Sequence, residues 1–471
     1  MKKIQTKTSL SLLLKLIAAI AFPIALQNLL TTTGSMVDTI MLARLGETTV
    51  GAAGLCAQFS SLLFSGYWGF AGGGMMFFAQ YYGAGNKEGI CKSYGITLFF
   101  MSITGVIFTC MALFQPEAVM ALYTNNAEIQ ALGVQYLRIV GLSYPLQVLA
   151  MAQSCLLRTT DHVKLPLYAG IASVLTNFVC NYILIFGKFG FAPMGIRGAA
   201  VGTVLAGIVN VLFIVIAAKV TKIPFVLEIT RHFRWTKDLV KEYLVKCAPI
   251  IANEALIGVG NMMINIVLGH QAAYAIAATA VFRTLEGIII SFFSGFSNAS
   301  SILVGQRVGD GDHEEAWSRG IRLIYICSIT IVLIAGVLIL IHNPLLHTMG
   351  LSGQSYETAT GMLLIYAAVC FLRMGNWAQN DTFRAAGDSA FGSILEITFM
   401  FAMVQPAIHL ANDVFHWPFL VVFALCYCDE PVRYIIMQKH LYSGKWIKPV
   451  SVEGKKTIDA FRKKYQIVVK K

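Results

Sequence analysis

The 471-residue sequence predicts an all-α polytopic membrane protein of twelve transmembrane helices, on the strength of three observations. Apolar residues make up 56% of the chain and charged residues 13%, with a mean hydropathy of +0.67, far beyond the balance of a soluble domain. Uncharged stretches recur throughout, as at Ser93 to Pro116 and Leu323 to Ile341, and about 20 such residues suffice to cross about 30 Å of hydrocarbon. The chain also matches itself at a fixed shift, which orders the helices into two sets of six.

The expected spans run over 16–43, 50–80, 94–114, 131–157, 165–186 and 198–218, then 247–268, 274–303, 323–341, 357–383, 390–411 and 414–438. The first lies between Lys15 and Arg44 and carries one charge, Asp38. Its basic start and the Ala19/Ala21 pair have the outline of a signal peptide, but the apolar run continues far past a typical h-region, so an uncleaved first helix is expected. The second and eighth spans end in QYYGAGNKE (80–88) and QRVGDGDHE (306–314), both Q-x-x-G-x-G-x-x-E. Neither motif follows a strand or carries a Lys-Ser or Lys-Thr pair, so the glycines read as tight helix-to-helix turns and not as a phosphate cradle.

A shift of 226 residues keeps one register: Pro23 meets Pro249, Met36 meets Met262, Ser65 meets Ser291, Gly69 and Phe70 meet Gly295 and Phe296, Gln153 meets Gln379, and Arg158 meets Arg384. Because six spans form one repeat, both copies enter the membrane in the same direction and are parallel repeats about an axis along the membrane normal. The expected domains are an N-terminal six-helix lobe (1–218), a basic inter-lobe linker (219–246), a C-terminal six-helix lobe (247–440) and a basic tail (441–471), with a cavity between the lobes.

Placing both termini in the cytoplasm leaves Arg44, Lys188 and Arg197 outside and Arg138, Arg283, Arg373 and Arg433 within spans, so 29 of the 36 basic residues are cytoplasmic. The formal charge of +12 is then topology and attraction to anionic lipid, the partly amphipathic tail included, and no nucleic-acid partner is implied. Ten scattered cysteines show no His-paired ligand spacing and imply no disulfide framework.

An ionised group at mid-membrane costs about 2.5–3.5 kcal/mol on insertion scales and turns to the bundle interior or a water-filled cavity, so Asp38 requires a reason. Gln27, Thr31, Gly34 and Asp38 share one helical face, with Asn28, Thr32, Ser35 and Thr39 as a second polar row. Glu254, Gly258, Asn261 and Asn265 are that row's counterparts in the second repeat. Pro23 and Pro249 each remove a helical hydrogen bond early in their helices and are candidate hinges. Asn177 and Asn181 in LTNFVCNYILIF lie one turn apart at the same distance from the outer helix end as Asp38, and the three residues can meet. Such a set binds a small cation or a proton, or serves as a static hydrogen-bonded strut.

In the second repeat, Arg283 and Glu286 can pair three residues apart, and with Glu254 and Arg373 they sum to zero charge, a network that is either structural or substrate-lining. Asp381 with Arg384 reads as an interfacial pair, and Asp429, Glu430 and Arg433 read as structural.

PIALQNLLTTTGSMVDTIMLARLGETTVGAAGL, FAQYYGAGNKE, TNFVCNYILIFG, GIRGAAVGT, PIIANEALIGVGN and FRAAGDS together resemble the multidrug and toxic compound extrusion (MATE) transporters, from about residue 16 to residue 440. The resemblance implies two six-helix lobes in a V with a central cavity, and efflux of small amphipathic, often cationic, organic compounds by antiport with Na+ or H+ across the plasma membrane. No other cofactor and no enzyme activity are implied, and a monomer is expected. By position it assigns the family's first-helix proline and aspartate to Pro23 and Asp38, the fifth-helix polar pair to Asn177 and Asn181, the sixth-helix threonine to Thr203 and the seventh-helix glutamate to Glu254. Two departures stand out: Asn181 replaces an acid found in some members, and Arg373 stands where some carry an acid eleven residues before the tenth-helix arginine, here Arg384. The expected coupling residues are therefore Asp38, Asn177, Asn181 and Thr203, and the expected substrate-cavity residues are Gln27, Thr31, Gly34, Glu254, Asn261, Asn265, Arg283 and Arg373.

Two other readings compete. A flippase for a lipid-linked saccharide precursor would call for a cavity dominated by Lys and Arg, whereas the intramembrane arginines here are matched by acids. A membrane hydrolase would call for a His metal set or a Ser/His dyad, whereas the histidines cluster at helix ends and loops, such as His162, His270, His313 and His416.

Overall fold

The computed structural model describes residues 8–468, and these are helical apart from turns and short connections. Residues 1–7, which belong to the basic start, and residues 469–471 of the tail lie outside the described residues. The first repeat contains α1 (Leu10–Ala43), α2 (Glu47–Gly83), α3 (Lys87–Phe114), α4 (Ala127–Thr159), α5 (Lys164–Phe186) and α6 (Ile196–Val220). The second contains α7 (Lys237–Gly269), α8 (Ala273–Gly309), α9 (His313–Thr348), α10 (Gly353–Ala385), α11 (Ser389–Val414) and α12, which is broken into Phe419–Leu425 and Glu430–Ser443. The tail adds α13 (Val452–Tyr465).

Ten of these, α1 and α3 to α11, are long and apolar enough to cross a membrane. The two other expected spans are weaker for visible reasons. After Glu47, α2 is uncharged for the rest of its 37 residues but is diluted by Gly, Ser and Gln, and α12 breaks where Asp429 and Glu430 enter it. Several helices overrun their expected spans because polar ends continue the helix and cap it. Asn86 accepts from Gly89 N at 2.8 Å to start α3, and Asp312, its counterpart at the 226-residue shift, accepts from Glu315 N at 3.3 Å to start α9.

The chain forms two compact units, one of Leu26–Phe78 and Asn86–Leu244, the other of Met1–Ala25, Ala79–Gly85 and Val245–Lys471. Helix α1 passes from one to the other at Ala25/Leu26, two residues after Pro23, and it stays helical through that proline, as α7 does through Pro249.

In the first unit, Met41, Leu42, Ala52, Ile185, Ile196 and Ala199 form an apolar cluster from α1, α2, α5 and α6. It sits one turn beyond Asp38 on α1 and one turn beyond Asn181 on α5, and so closes one end of the polar pair with hydrocarbon.

In the second unit, the two Q-x-x-G-x-G turns pack on one another reciprocally. A Cβ on Gly83 would overlap the Gln306 carbonyl, and a Cβ on Gly309 would overlap the Gln80 carbonyl. The second glycines, Gly85 and Gly311, take φ of 67° and 84° and turn the chain into the next helix. Gln80 also donates to Ala385 O at 2.9 Å and accepts from Val450 N at 2.7 Å, while Ser451 donates to Gly309 O at 2.7 Å. The tail therefore straps the ends of α2, α8 and α10, and α13 docks through buried Ile458 and Phe461, with Phe461 edge-on to Trp317. Between α10 and α11, Asp388 accepts from His440 and from Lys448, each at 2.9 Å. Burial pushes its pKa up, but these two partners outweigh burial and hold the carboxyl below the ordinary value. All ten cysteines are free.

Candidate functional site

The polar face of α1 is turned onto α5 within the first unit. Asn181 Nδ2 donates to Asp38 Oδ1 at 2.7 Å. The Asn177 amide, with its nitrogen toward the acid, reaches the same oxygen at 2.7 Å. Asn181 is fully buried, whereas Asp38 and Asn177 are half-buried and keep one side open. Among the described residues no Arg, Lys or His forms an ion pair with Asp38. Two neutral amides thus hold the carboxylate in place and leave its charge uncompensated.

The position of Asn181 is fixed by α6. Its Oδ1 has no partner and occupies the space a Cβ on Gly202 would need. The neighbouring Thr203 donates to Ala199 O at 3.1 Å and hydrogen-bonds Tyr136 of α4, which lies within electrostatic reach of Asp38. Thr203 therefore bonds Tyr136 and makes no hydrogen bond to the acid itself; Tyr136 is a residue sequence reasoning missed because one aromatic in an apolar span carries no signal. Gly202→Ala is expected to push the Asn181 amide off Asp38 and to cost about 1–3 kcal/mol of stability; a melting curve unchanged from the parent's would show that this amide does not fill the seat at Gly202.

Along the rest of the stripe, Gly34 packs near Val174 and Gln27 near Gly170, both on α5. Thr31 donates back to Gln27 O at 3.0 Å, and Gln27 Oε1 accepts from Arg158 Nη2 at 2.7 Å. Arg158 is buried, with Nε unpartnered. The second unit repeats this contact at the shifted positions: Arg384 Nη2 donates to Asn253 Oδ1 at 2.6 Å. Around Arg384, however, stand acids where the first repeat has neutral residues. Glu254 replaces Asn28 and Asp381 replaces Cys155, with Arg384 Nη1 at 3.3 Å from Glu254 and 3.9 Å from Asp381. Asp381 also accepts from Ser297 at 2.6 Å.

The four-membered neutral set expected in the second repeat is thus divided. Glu254 belongs to Arg384 and joins the Asp381 pair, while Glu286 takes Arg283 at 2.7 Å and Arg373 at 2.5 Å. Asn265 accepts from Arg283 at 3.1 Å, and Asn261 is exposed. Glu396 was overlooked from sequence. It accepts from Asn253 at 3.1 Å and from Asn380 at 3.0 Å, and lies 3.7 Å from Arg433, which also pairs with Asp429 and Glu430. The available signal was the one that singled out Asp38, an intramembrane acid with no base one helical turn away.

Helices numerous and apolar enough for a polytopic protein, two matched repeats and ionisable groups held inside the spans define a membrane transporter. The MatE family model matches residues 23–183 and 249–405, one match in each repeat, and the chain belongs to that family. The probable multidrug resistance protein NorM of Thermotoga maritima is 26% identical over 91% of this chain and 92% of its own length. The uncharacterized transporter YisQ of Bacillus subtilis is 22% identical over 87% of this chain and 90% of its own. A solved MATE structure in the bent conformation matches the fold with a TM-score of 0.82 at 19% identity, covering 98% of this chain and 100% of that one.

Proposed function

We propose that this protein exports amphipathic, cationic organic compounds by antiport with Na+ or H+, and that Asp38 is the group the two ligands share. The observation behind this reading is the Asp38 carboxylate, fixed by Asn177 and Asn181 and paired with no base among the described residues. An ionised acid inside a span needs a counter-charge, and here that charge comes from outside the chain, as an organic cation, Na+ or a proton. Relatives named for multidrug resistance and multidrug export support the export of drug-like compounds.

Mutually exclusive occupancy supplies the coupling. Ionised Asp38 favours an organic cation; its neutralisation by Na+ or H+ removes that attraction and lowers drug affinity, and linkage makes the effect reciprocal. The unit boundary beside Pro23 suits a swivel of α1 that communicates the state of Asp38. The reading places the protein in the cell membrane with both termini cytoplasmic, acting as a monomer with no cofactor beyond the coupling ion. It keeps the lobes at 1–218 and 247–440, joined by the linker 219–246, with the basic charge of the tail 441–471 attracted to anionic lipid while the apolar face of α13 stays docked on the protein.

The test is drug transport in proteoliposomes under separately imposed sodium and proton gradients. The parent responds to one of the two, and Asp38→Asn, which keeps the shape but not the charge, loses that response by at least tenfold. Full gradient-driven transport by Asp38→Asn would reject the role of this acid.

A further inference from the structure

Alternating access moves one repeat against the other around a fixed site, so a joint between the repeats either opens in every cycle or serves as a permanent pivot. The second unit contains such a joint. Residues Ala79–Gly85 come from the first repeat yet belong to the second unit, where the Gln80 carbonyl faces Gly309 and the Gln306 carbonyl faces Gly83. Gln80 is fully buried there. Its amide nitrogen donates to Ala385 O at 2.9 Å, and its amide oxygen accepts from Val450 N at 2.7 Å.

The tail reaches the two turns with consecutive residues. Val450 bonds the first-repeat turn, and Ser451 donates to Gly309 O of the second-repeat turn at 2.7 Å. Neighbouring Cα atoms are about 3.8 Å apart, so both bonds hold only while the turns stay paired. The rest of the tail is fastened to the second repeat. Lys448 N donates to Ala386 O at 2.9 Å, Thr457 to Gly311 O at 3.1 Å and His313 Nε2 to Gly454 O at 3.0 Å, while Phe461 lies against Trp317. Parting of the turns would therefore leave the tail on the second repeat and release Gln80 from it. The linker, which follows the first repeat as the tail follows the second, is placed otherwise. Its His232 carbonyl stands where a Cβ on Gly95 of α3 would be, and the His232 ring meets Tyr94 edge-on, so it braces its own repeat.

We propose that the tail is a conformational latch that holds Gln80 through Val450, favours the paired turns and must release that residue for access to alternate. A segment that makes a bond only in the paired state shifts the equilibrium toward that state by its differential affinity. The latch needs only the transporter class defined above. It goes beyond the efflux reading, since neither the substrate nor the coupling ion enters it.

The experiment uses the full chain carrying Gln80→Cys and Val450→Cys, bridged in detergent by a short bis-methanethiosulfonate and then reconstituted, with ethidium as the transported probe under a sodium or a proton gradient. Bridging is expected to cut ethidium transport at least tenfold, and a reductant to restore it in the same vesicles. Each single variant, treated alike, reports any effect on the native cysteines. A second variant reads the latch without a substrate. Val450→Pro removes the N–H that bonds Gln80 and lies outside α13, and the backbone amides of residues 81–85 are expected to exchange with deuterium at least threefold faster than the parent's. Bridged protein that transports within twofold of its reduced form shows a permanent pivot and overturns the latch. Exchange in Val450→Pro equal to the parent's, with the variant folded by its melting curve, overturns it as well. Absence of ethidium transport in every form, the parent included, overturns the efflux reading, and the exchange then decides the latch by itself.

Discussion

Gly309→Ala is expected to cost the protein most of its folded yield, and Gly83→Ala to do the same, while Gly85→Ala in the same motif is mild. A methyl at position 309 would overlap the Gln80 carbonyl, and one at position 83 the Gln306 carbonyl; both obstacles are backbone and cannot rotate away. Relief requires the paired turns to separate. That separation also disturbs the Gln80 hydrogen bonds to Ala385 and Val450 that fasten the ends of α10 and the tail. The cost belongs at or above the upper end of the overpacking range, about 3 kcal/mol. Gly85, by contrast, has no heavy atom within 4 Å of a Cβ, so its alanine variant meets only the left-handed φ of 67°, about 1–2 kcal/mol. Melting temperature in detergent and monodisperse yield rank the three variants. Equal losses at positions 85 and 309 would show that the turns do not approach as closely as described.

Arg384→Met is expected to destabilise the protein by about 3–5 kcal/mol, the usual result of removing one partner from a buried ionic group. Glu254 and Asp381 lose their shared cation, and Asn253 Oδ1 loses its donor. Arg158→Met removes the matching residue of the first repeat but strands no carboxylate. It breaks the charged hydrogen bond to Gln27, about 1.5–3 kcal/mol, and relieves an unpaired buried cation. The second-repeat variant should therefore melt lower than the first-repeat one, and Glu254→Gln should recover part of the Arg384→Met loss in a double-mutant cycle. Similar melting temperatures for Arg158→Met and Arg384→Met would mean that the acids around Arg384 are already protonated and need no partner.

Much of the site was legible in the chain because membrane insertion penalises charge. Asp38 is the only charge between Lys15 and Arg44, and the spacing of Asn177 and Asn181 places both amides at its depth. Within-helix pairing was equally readable, as Arg283 with Glu286 shows. Contacts across helices were not. Nothing in the sequence says that Gly202 shapes the seat of Asn181, that Tyr136 reaches Thr203, or that Glu396 is held by amides from two other helices. Each of these depends on which faces of neighbouring helices meet, and that is set by packing between segments far apart in the chain.

The sequence by itself determined the membrane class, the repeat and its register, the turn motifs and the isolated acid, since hydropathy, periodicity and helical spacing act locally along one chain. The tertiary structure decided which charges share a partner and which stand alone. Arg158 and Arg384 are the same residue at the same place in two copies, yet one has only an amide and the other two acids, because the energy of a buried charge depends on neighbours that folding brings to it.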